Sequence, residues 1–139
     1  MMLDEVDLRI LETLRRNSRV SYSSMSKEVG ISEAAVRKRV SRLIKAGVIE
    51  RFTVEVDMGF KAIIFVSVEP AYPCLDVSRK ILTIDGVEKV YEVSGEYDLA
   101  VIVSTTGYRE ANKVIEAIRA LEGVSRTYTM TILNTHYRT

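Results

Sequence analysis

Three patterns in this sequence of 139 residues predict an α+β fold, with helices in the first third and an antiparallel sheet covered by helices in the rest. The first third has apolar residues at helical spacing, with a polar capping residue before each segment. The remainder alternates short apolar runs with amphipathic segments. A four-residue turn occurs in it twice. We therefore expect a helical domain over residues 1–49, a linker strand or hinge over 50–61, and a sheet domain over 62–139.

Each predicted helix of the first domain has a recognisable start and stop. The caps are Asp4, Ser21 and Ser32, and the glycine stops are Gly30 and Gly47. The second helix is short, and Gly30, Ile31 and Ser32 form a tight turn before the third. Three helices with this turn predict a helix-turn-helix of the winged-helix type.

The third helix is predicted to have one apolar and one basic face. The apolar stripe consists of Val36, Val40, Leu43 and Ile44. The basic residues are Arg37, Lys38, Arg39, Arg42 and Lys45, with no acidic residue between them. Residues 1–51 hold 11 Lys/Arg against 7 Asp/Glu, a net charge of +4, whereas residues 52–139 have a net charge of −3. Any exposed helix has a charged outer face. Here, however, the basic helix comes directly after the short helix and the tight turn of a predicted helix-turn-helix, and this position favours double-stranded DNA as its partner.

The N-terminal turns of a recognition helix approach the edges of the bases. The residues predicted to contact DNA are Ser32, Glu33, Ala34, Arg37, Lys38, Ser41, Arg42 and Lys45. Those from Glu33 to Ser41 are candidates for reading sequence, whereas Arg42 and Lys45 are expected to hold phosphates.

The order of segments after the third helix predicts a ferredoxin-like domain. Alternation from Val48 to Asp57 predicts a linker strand or hairpin, and Gly59 marks a break. Beyond it, the turn at residues 84–87 (IDGV) recurs at 121–124 (LEGV), each time after a helical segment and before a strand. The segment order is therefore β-α-β-β-α-β, a duplicated strand-helix-strand unit.

Two strands of this domain are apolar on both faces. The runs at Ala62–Val68 and Leu99–Val103 need cover on each side, but two helices cover only one face of a four-stranded sheet. The other face would be covered by the sheet of a second subunit or, alternatively, by the linker strand. The first option predicts a two-fold homodimer and hence a palindromic operator, with half-sites about one DNA turn apart or a multiple of it.

Other features argue against export, membrane contact and catalysis. Acidic residues near the start do not suit a secretory signal, and no apolar run approaches the length of a membrane span, so we expect a cytoplasmic protein. Cys74 is the single cysteine and supplies no pair for a disulfide or a metal. His136 is the single histidine, and no nucleophile set, metal cluster or phosphate-binding glycine loop stands out. No catalytic residue, metal or cofactor is predicted, and we do not expect an enzyme.

Residues along nearly the whole chain carry a family resemblance. In the first domain they are Leu3, Asp4, Asp7, Ile10, Leu11, residues 29–32, Val36, Arg37, Arg39, Leu43 and residues 47–49. In the second they are Gly86, Val87, Gly95, Tyr97, Asp98, Leu99, Gly123, Val124, Thr127 and Thr129. In order and spacing this set resembles the Lrp/AsnC, or feast/famine, transcription regulators. The resemblance implies dimers joined through face-to-face sheets, assembled in some members into tetramers, octamers or open helical assemblies.

The resemblance also implies that transcription responds to an amino-acid effector, bound near the hairpin loop and the last strand. The matching positions are Gly95, Glu96, Tyr97, Asp98, Thr127 and Thr129. Asp98 would accept from the ammonium group, while backbone N–H groups near Gly95 and threonine hydroxyls would donate to the carboxylate. The alternative is that these are ordinary turn and strand residues.

Two other functions stay open from sequence. Tetrapyrrole decarboxylases share this fold, but such chemistry would be expected to use histidines, and only His136 is present. The chain could also be a ligand sensor whose helix-turn-helix contacts only protein. The uninterrupted basic face of the third helix argues against that reading.

Overall fold

The computed structural model describes residues 1–138, which divide into two compact units. Unit 1 contains Met1–Glu55 together with Tyr137 and Arg138, and unit 2 contains Val56–His136. The division falls inside the predicted linker. The C-terminal residues Tyr137 and Arg138 group with unit 1, whereas the sequence prediction placed them in the sheet domain.

The helices of unit 1 are α1 (Glu5–Arg16), α2 (Tyr22–Val29) and α3 (Glu33–Lys45). Each begins at its predicted cap. The side chains of Asp4, Ser21 and Ser32 each accept a hydrogen bond from the backbone N–H three residues on, at 2.8 to 3.1 Å. Gly30 ends α2 with φ +80°, the left-handed conformation that glycine adopts without strain. The helix-turn-helix prediction is confirmed.

A small core joins these helices. It contains Ile10, Met25, Val29, Val36, Val40 and Leu43. The prediction that Ile44 belongs to this core was wrong, since 47% of that residue is exposed. Ile44 lies about 80° around the helix from Val36, at the margin of the buried arc, where packing rather than periodicity decides burial.

The linker strand predicted from alternating residues was also wrong. Residues 50–58 form no strand in the described chain, and β1 begins only at Phe60. Phe52 and Val54 are 52% and 72% exposed. Alternation supplies only the side-chain pattern of a strand, which forms when a second strand pairs with its backbone.

Unit 2 has the predicted ferredoxin-like order. Its elements are β1 (Phe60–Val68), α4 (Cys74–Ile81), β2 (Val87–Glu92), β3 (Leu99–Thr105), α5 (Tyr108–Arg119) and β4 (Val124–Thr131). Within the described residues, the strands form one antiparallel sheet in the order β2-β3-β1-β4, which leaves β2 and β4 at its edges.

Each copy of the repeated turn contains a glycine that its backbone conformation requires. Gly86 and Gly123 join a helix to a strand with φ +96° and +92°, values that favour glycine. A Cβ at Gly123 would also lie 2.8 Å from the Cγ of Tyr72. Both turns therefore need glycine, which accounts for its recurrence in the internal repeat.

The two faces of the sheet differ. Helices α4 and α5 pack on one face over a core that includes Ile64, Val66, Leu99, Val101 and Val103. The strand registers place another set of side chains on the opposite face, here called the open face: Ile63, Phe65, Lys89, Tyr91, Ala100, Ile102, Arg126, Tyr128 and Met130. Tyr91, Tyr128 and Met130 are each about half exposed. Apolar residues on the second face of an antiparallel sheet are typical of a surface that packs against another surface.

Candidate DNA-binding surface and effector region

The outer face of α3 presents the residues predicted to contact DNA. Its inner face is fixed by Val36, Val40 and Leu43, which are almost completely buried. All the predicted DNA-contacting residues are exposed: Ser32, Glu33, Ala34, Arg37, Lys38, Ser41, Arg42 and Lys45. We call this set the recognition surface. Ser32 also caps the helix through its Oγ, which accepts from Ala35 N at 3.1 Å, so the cap fixes the start of this surface.

Arg39 does not belong to the recognition surface. Its Nη1 donates to Asp4 Oδ2 at 2.7 Å and to Asp7 Oδ1 at 3.0 Å, and only 25% of its side chain is exposed. Arg39 was counted with the basic residues of the third helix but not among the predicted DNA contacts, and its pairing with Asp4 and Asp7 takes it out of the exposed basic face. Its partners lie more than thirty positions earlier in the chain, so the run of basic residues in α3 gave no sign of the pairing.

Asp7 is the buried partner of this cluster, with 1% of its side chain exposed. Its Oδ2 accepts from Asp4 N at 3.1 Å, while Asp4 Oδ1 accepts from Asp7 N at 2.8 Å, which completes a capping box. The hydrogen bond from Arg39, and next the one from Asp7 N, lower the pKa of the Asp4 carboxyl. Asp4 and Asp7 thus attach the start of α1 to the middle of α3.

The other arginines of α3 stay at the surface. Arg42 lies 4.0 Å from Asp7 Oδ2 but keeps 53% of its side chain exposed, and Arg37 keeps 64%. Arg37 lies 3.9 Å from Glu33, one turn earlier. Its guanidinium also lies 5.3 Å from the ring centre of Tyr22, the first residue of α2. Sequence reasoning missed Tyr22, because a contact between two helices leaves no periodic signal.

The residues predicted to bind an effector fall on different sides of the sheet. The ring of Tyr97 packs at a tilt against Phe65 and Tyr128 of the open face, with ring centres 5.6 and 6.2 Å apart. Thr127 and Thr129 pair with Val66 and Ile64, whose side chains lie on the helix-covered face. These residues therefore do not face a common point within one chain.

Asp98, the predicted acceptor for an ammonium group, already has a structural partner. Its Oδ2 accepts from Val68 N at 2.7 Å, at the irregularity where the register of β1 and β4 shifts. Its backbone also bonds to the chain on either side of it in the sheet. Asp98 N donates to Val66 O in β1, and Asp98 O accepts from Val93 N, just after β2. Asp98 therefore holds the end of the hairpin, and its remaining lone pairs are what it can offer a ligand.

Arg126, which sequence reasoning did not select, lies beside the hairpin. Its guanidinium is 4.9 Å from the Tyr97 ring centre and 3.6 Å from Glu96 Oε1. Gly95 lies in the same hairpin loop with φ +150° and open space where a Cβ would project. Gly95 and Glu96 are exposed and Tyr97 is half-buried, so the loop that they form lies next to the edge strand β4.

Cys74 has the character of an unreactive thiol. It is half-buried at the start of α4, and burial, followed by the charges of Asp98 and Glu92, raises its pKa. A protonated thiol is a poor nucleophile and a poor metal ligand. In the described part of the chain, no cluster of metal-ligating side chains occurs, and no helix has the length and apolarity needed to cross a membrane.

A helix-turn-helix with an exposed basic third helix, in one chain with a ferredoxin-like sheet unit, defines the class of DNA-binding regulators. Comparison with known proteins agrees. Residues 3–50 match the winged helix-turn-helix DNA-binding domain, and residues 61–139 match the Lrp/AsnC ligand binding domain. The chain belongs to the Lrp/AsnC family of DNA-binding transcription regulators.

Individual relatives match over nearly the full length. The chain is 48% identical to the HTH-type transcriptional regulator LysM of Sulfurisphaera tokodaii, covering 94% of this chain and 95% of that protein. It is 44% identical to LysM of Saccharolobus solfataricus, covering 97% and 96%. A feast or famine regulatory protein from M. tuberculosis, solved in complex with L-methionine, is 27% identical with a TM-score of 0.83, covering 99% and 96%. These relatives are named as regulators, not as enzymes.

Proposed function

We propose that this protein binds a palindromic DNA operator as a homodimer and that an amino acid regulates the binding. The observation that carries the proposal is the recognition surface. Its exposed residues stand on a helix that is fixed from behind by a buried core and by the Asp7–Arg39 pair. A rigid helix with cationic and polar side chains directed outward is the arrangement that major-groove reading requires. We further propose that the protein works in the cytoplasm, as a regulator without a catalytic role.

The open face supports the homodimer. It combines central apolar residues such as Ile63, Phe65 and Ile102 with aromatic residues at its margins. A second copy would present the same surface, so two sheets packed face to face would bury both. Larger assemblies, such as tetramers or octamers, would use other surfaces.

The DNA part of this proposal is tested by selecting bound sites from a random duplex pool at two salt concentrations. We expect an enriched palindrome whose affinity falls at higher salt, because phosphate contacts release counterions. Arg42→Ala should weaken binding, whereas Glu88→Ala, an exposed change in the sheet unit, should not. Binding without any preferred sequence would contradict the proposal.

The dimer part is tested by sedimentation of Ile102→Glu. A charge placed in the middle of an apolar interface cannot be solvated there, so we expect a monomer. Leu75→Glu is the matched control, because Leu75 is a 51% exposed apolar residue on α4, away from the open face. A dimer that tolerates Ile102→Glu but not Leu75→Glu would place the interface elsewhere.

For the effector, we propose the edge of β4 near the hairpin loop. A ligand at a sheet edge can reach both faces, so it could contact Tyr97 on one side and Thr127 or Thr129 on the other. The solved relative with bound L-methionine supports an amino acid as the ligand class. Thermal unfolding should be measured with each common amino acid. An upshift that Thr127→Val removes and Thr131→Val leaves in place would support the site, while no upshift with any amino acid would contradict it.

A further inference from the structure

The contact between Tyr22 and Arg37 joins the two helices of the helix-turn-helix. Tyr22 is the first residue of α2, and Arg37 lies in the second turn of α3. The guanidinium lies 5.3 Å from the ring centre, within the distance of about 6 Å at which a cation is attracted to an aromatic face. Arg37 is the one arginine among the residues predicted to read bases, so this contact bears on sequence recognition.

Tyr22 itself has a fixed position. It is half-buried against the core of unit 1, and the helix that it begins is capped by Ser21, whose Oγ accepts from Ser24 N at 3.0 Å. Arg37, in contrast, has 64% of its side chain exposed. A long flexible side chain therefore rests against a ring that cannot move far.

Glu33 restrains the same guanidinium from another side. Its Oε1 lies 3.9 Å from Arg37 Nη2, one turn toward the start of α3. An exposed pair of this kind is weak by itself, because water screens it and side-chain entropy opposes it. Together, the ring and the carboxylate limit the directions that Arg37 can take.

This restraint matters because arginine reads guanine through a rigid planar fork. Two N–H groups donate to O6 and N7 of the base, and the pair forms only when the guanidinium plane is correctly placed. A side chain that is already held loses less rotamer entropy on binding. Discrimination against the wrong base therefore depends on the arginine and also on the neighbouring groups that hold its guanidinium in place.

We propose that Tyr22 is a positioning residue for specificity, which holds the Arg37 guanidinium against its ring so that Arg37 can read a guanine in each half-site. The inference rests on the proposed DNA-binding function and adds a specific base and a residue outside the recognition surface. Tyr22 acts through its ring, so the phenol hydroxyl is not required.

The test is the affinity of the full-length protein for the selected operator and for every single-base variant of one half-site. We compare the wild type with Tyr22→Leu, Tyr22→Phe, Arg37→Ala and Arg37→Lys. Arg37→Ala should remove the preference for guanine at one position. Tyr22→Leu should reduce the same preference by about two- to five-fold, as loss of an exposed cation–π contact would give. Tyr22→Phe should keep it, and Arg37→Lys should lose it while binding nonspecific DNA as well as the wild type.

Controls separate positioning from general damage to the fold. A destabilised Tyr22→Leu protein would bind all sequences more weakly, whereas lost positioning changes the ratio between sequences at one base pair. Tyr108→Leu, a 71% exposed tyrosine on α5, should change nothing. In an Arg37→Ala background, Tyr22→Leu should have no further effect on selectivity.

The outcomes separate this inference from the proposed function. Full guanine preference in Tyr22→Leu, or its loss in Tyr22→Phe, overturns the inference and leaves sequence-specific binding intact. A wild type that prefers no sequence overturns the proposed function and the inference together.

Discussion

Removing the buried carboxylate of Asp7 should loosen unit 1 without affecting unit 2. Asp7→Ala takes away the acceptor for Arg39 at 3.0 Å and for Asp4 N at 3.1 Å. Breaking a buried ion pair costs about 3–5 kcal/mol when the other charge is left without a partner. Here Arg39 keeps Asp4 as a partner and is a quarter exposed, which lowers the cost. We therefore expect Asp7→Ala to lower the free energy of unfolding by about 2–3 kcal/mol.

Native-state hydrogen exchange measures this locally, which suits a chain with two units. Amides of α3 should exchange about 30- to 160-fold faster in Asp7→Ala, the ratio that 2–3 kcal/mol gives. Amides in the middle of β1 should be unchanged. Glu5→Ala is the matched control, because Glu5 is an exposed acid in the first turn of the same helix.

Two results would refute this reasoning. Less than a threefold change in α3 exchange would mean that desolvation of Asp7 offsets its hydrogen bonds. The same loss from Asp7→Ala in an Arg39→Ala background would mean that the two residues are not coupled.

Three further predictions follow from single contacts. Arg39→Ala should leave the slope of log DNA affinity against log salt concentration unchanged, whereas Arg42→Ala should reduce its magnitude by about one. The reason is that, of these two arginines, Arg42 is the one directed outward. Equal slopes for the two variants would contradict the assignment. Gly123→Ala should lower the free energy of unfolding of unit 2, measured by urea titration, by roughly 2–4 kcal/mol through backbone strain and the clash at its Cβ; Gly30→Ala, with the same backbone strain and open space at Cβ, should cost less. The lowered pKa of Asp4 means that its ionised form stabilises the folded state above the ordinary carboxyl pKa, of about 4, and that this contribution is lost as the pH falls through the lower folded-state value. The difference in unfolding free energy between wild type and Asp4→Asn should therefore shrink in acid; a constant difference from pH 6 to pH 2 would contradict the pairing.

Local signals predicted most of the fold because each acts within a few residues. Ser21 and Ser32 cap helices through the backbone three residues on, and Gly30 is the left-handed stop. The repeated turn around Gly86 and Gly123 predicted the duplication in unit 2, since the same backbone conformation required the same residue twice.

Contacts between distant residues could not be predicted from the sequence. In the sequence, Arg39 cannot be distinguished from the other basic residues of α3. Its pairs with Asp4 and Asp7 form only because α1 packs on α3. The predicted effector residues lie on opposite faces of the sheet, and part of this separation follows from the sequence. Because side chains alternate along a strand, Thr127 and Thr129 lie on one face of β4 and Tyr128 on the other. The contact between the rings of Tyr97 and Tyr128 could not be predicted, since it depends on how the hairpin loop folds back.

The aromatic composition of the open face gives the protein an internal optical label. The sequence has seven tyrosines and no tryptophan, so tyrosine dominates its near-ultraviolet absorption. Tyr91, Tyr97 and Tyr128 all lie on or against the open face. If a second sheet covers that face, the half-exposed rings of Tyr91 and Tyr128 pass from water into a chiral, packed environment. Near-ultraviolet circular dichroism followed across a dilution series would then report association of the unlabelled protein, without a fluorophore or an engineered residue.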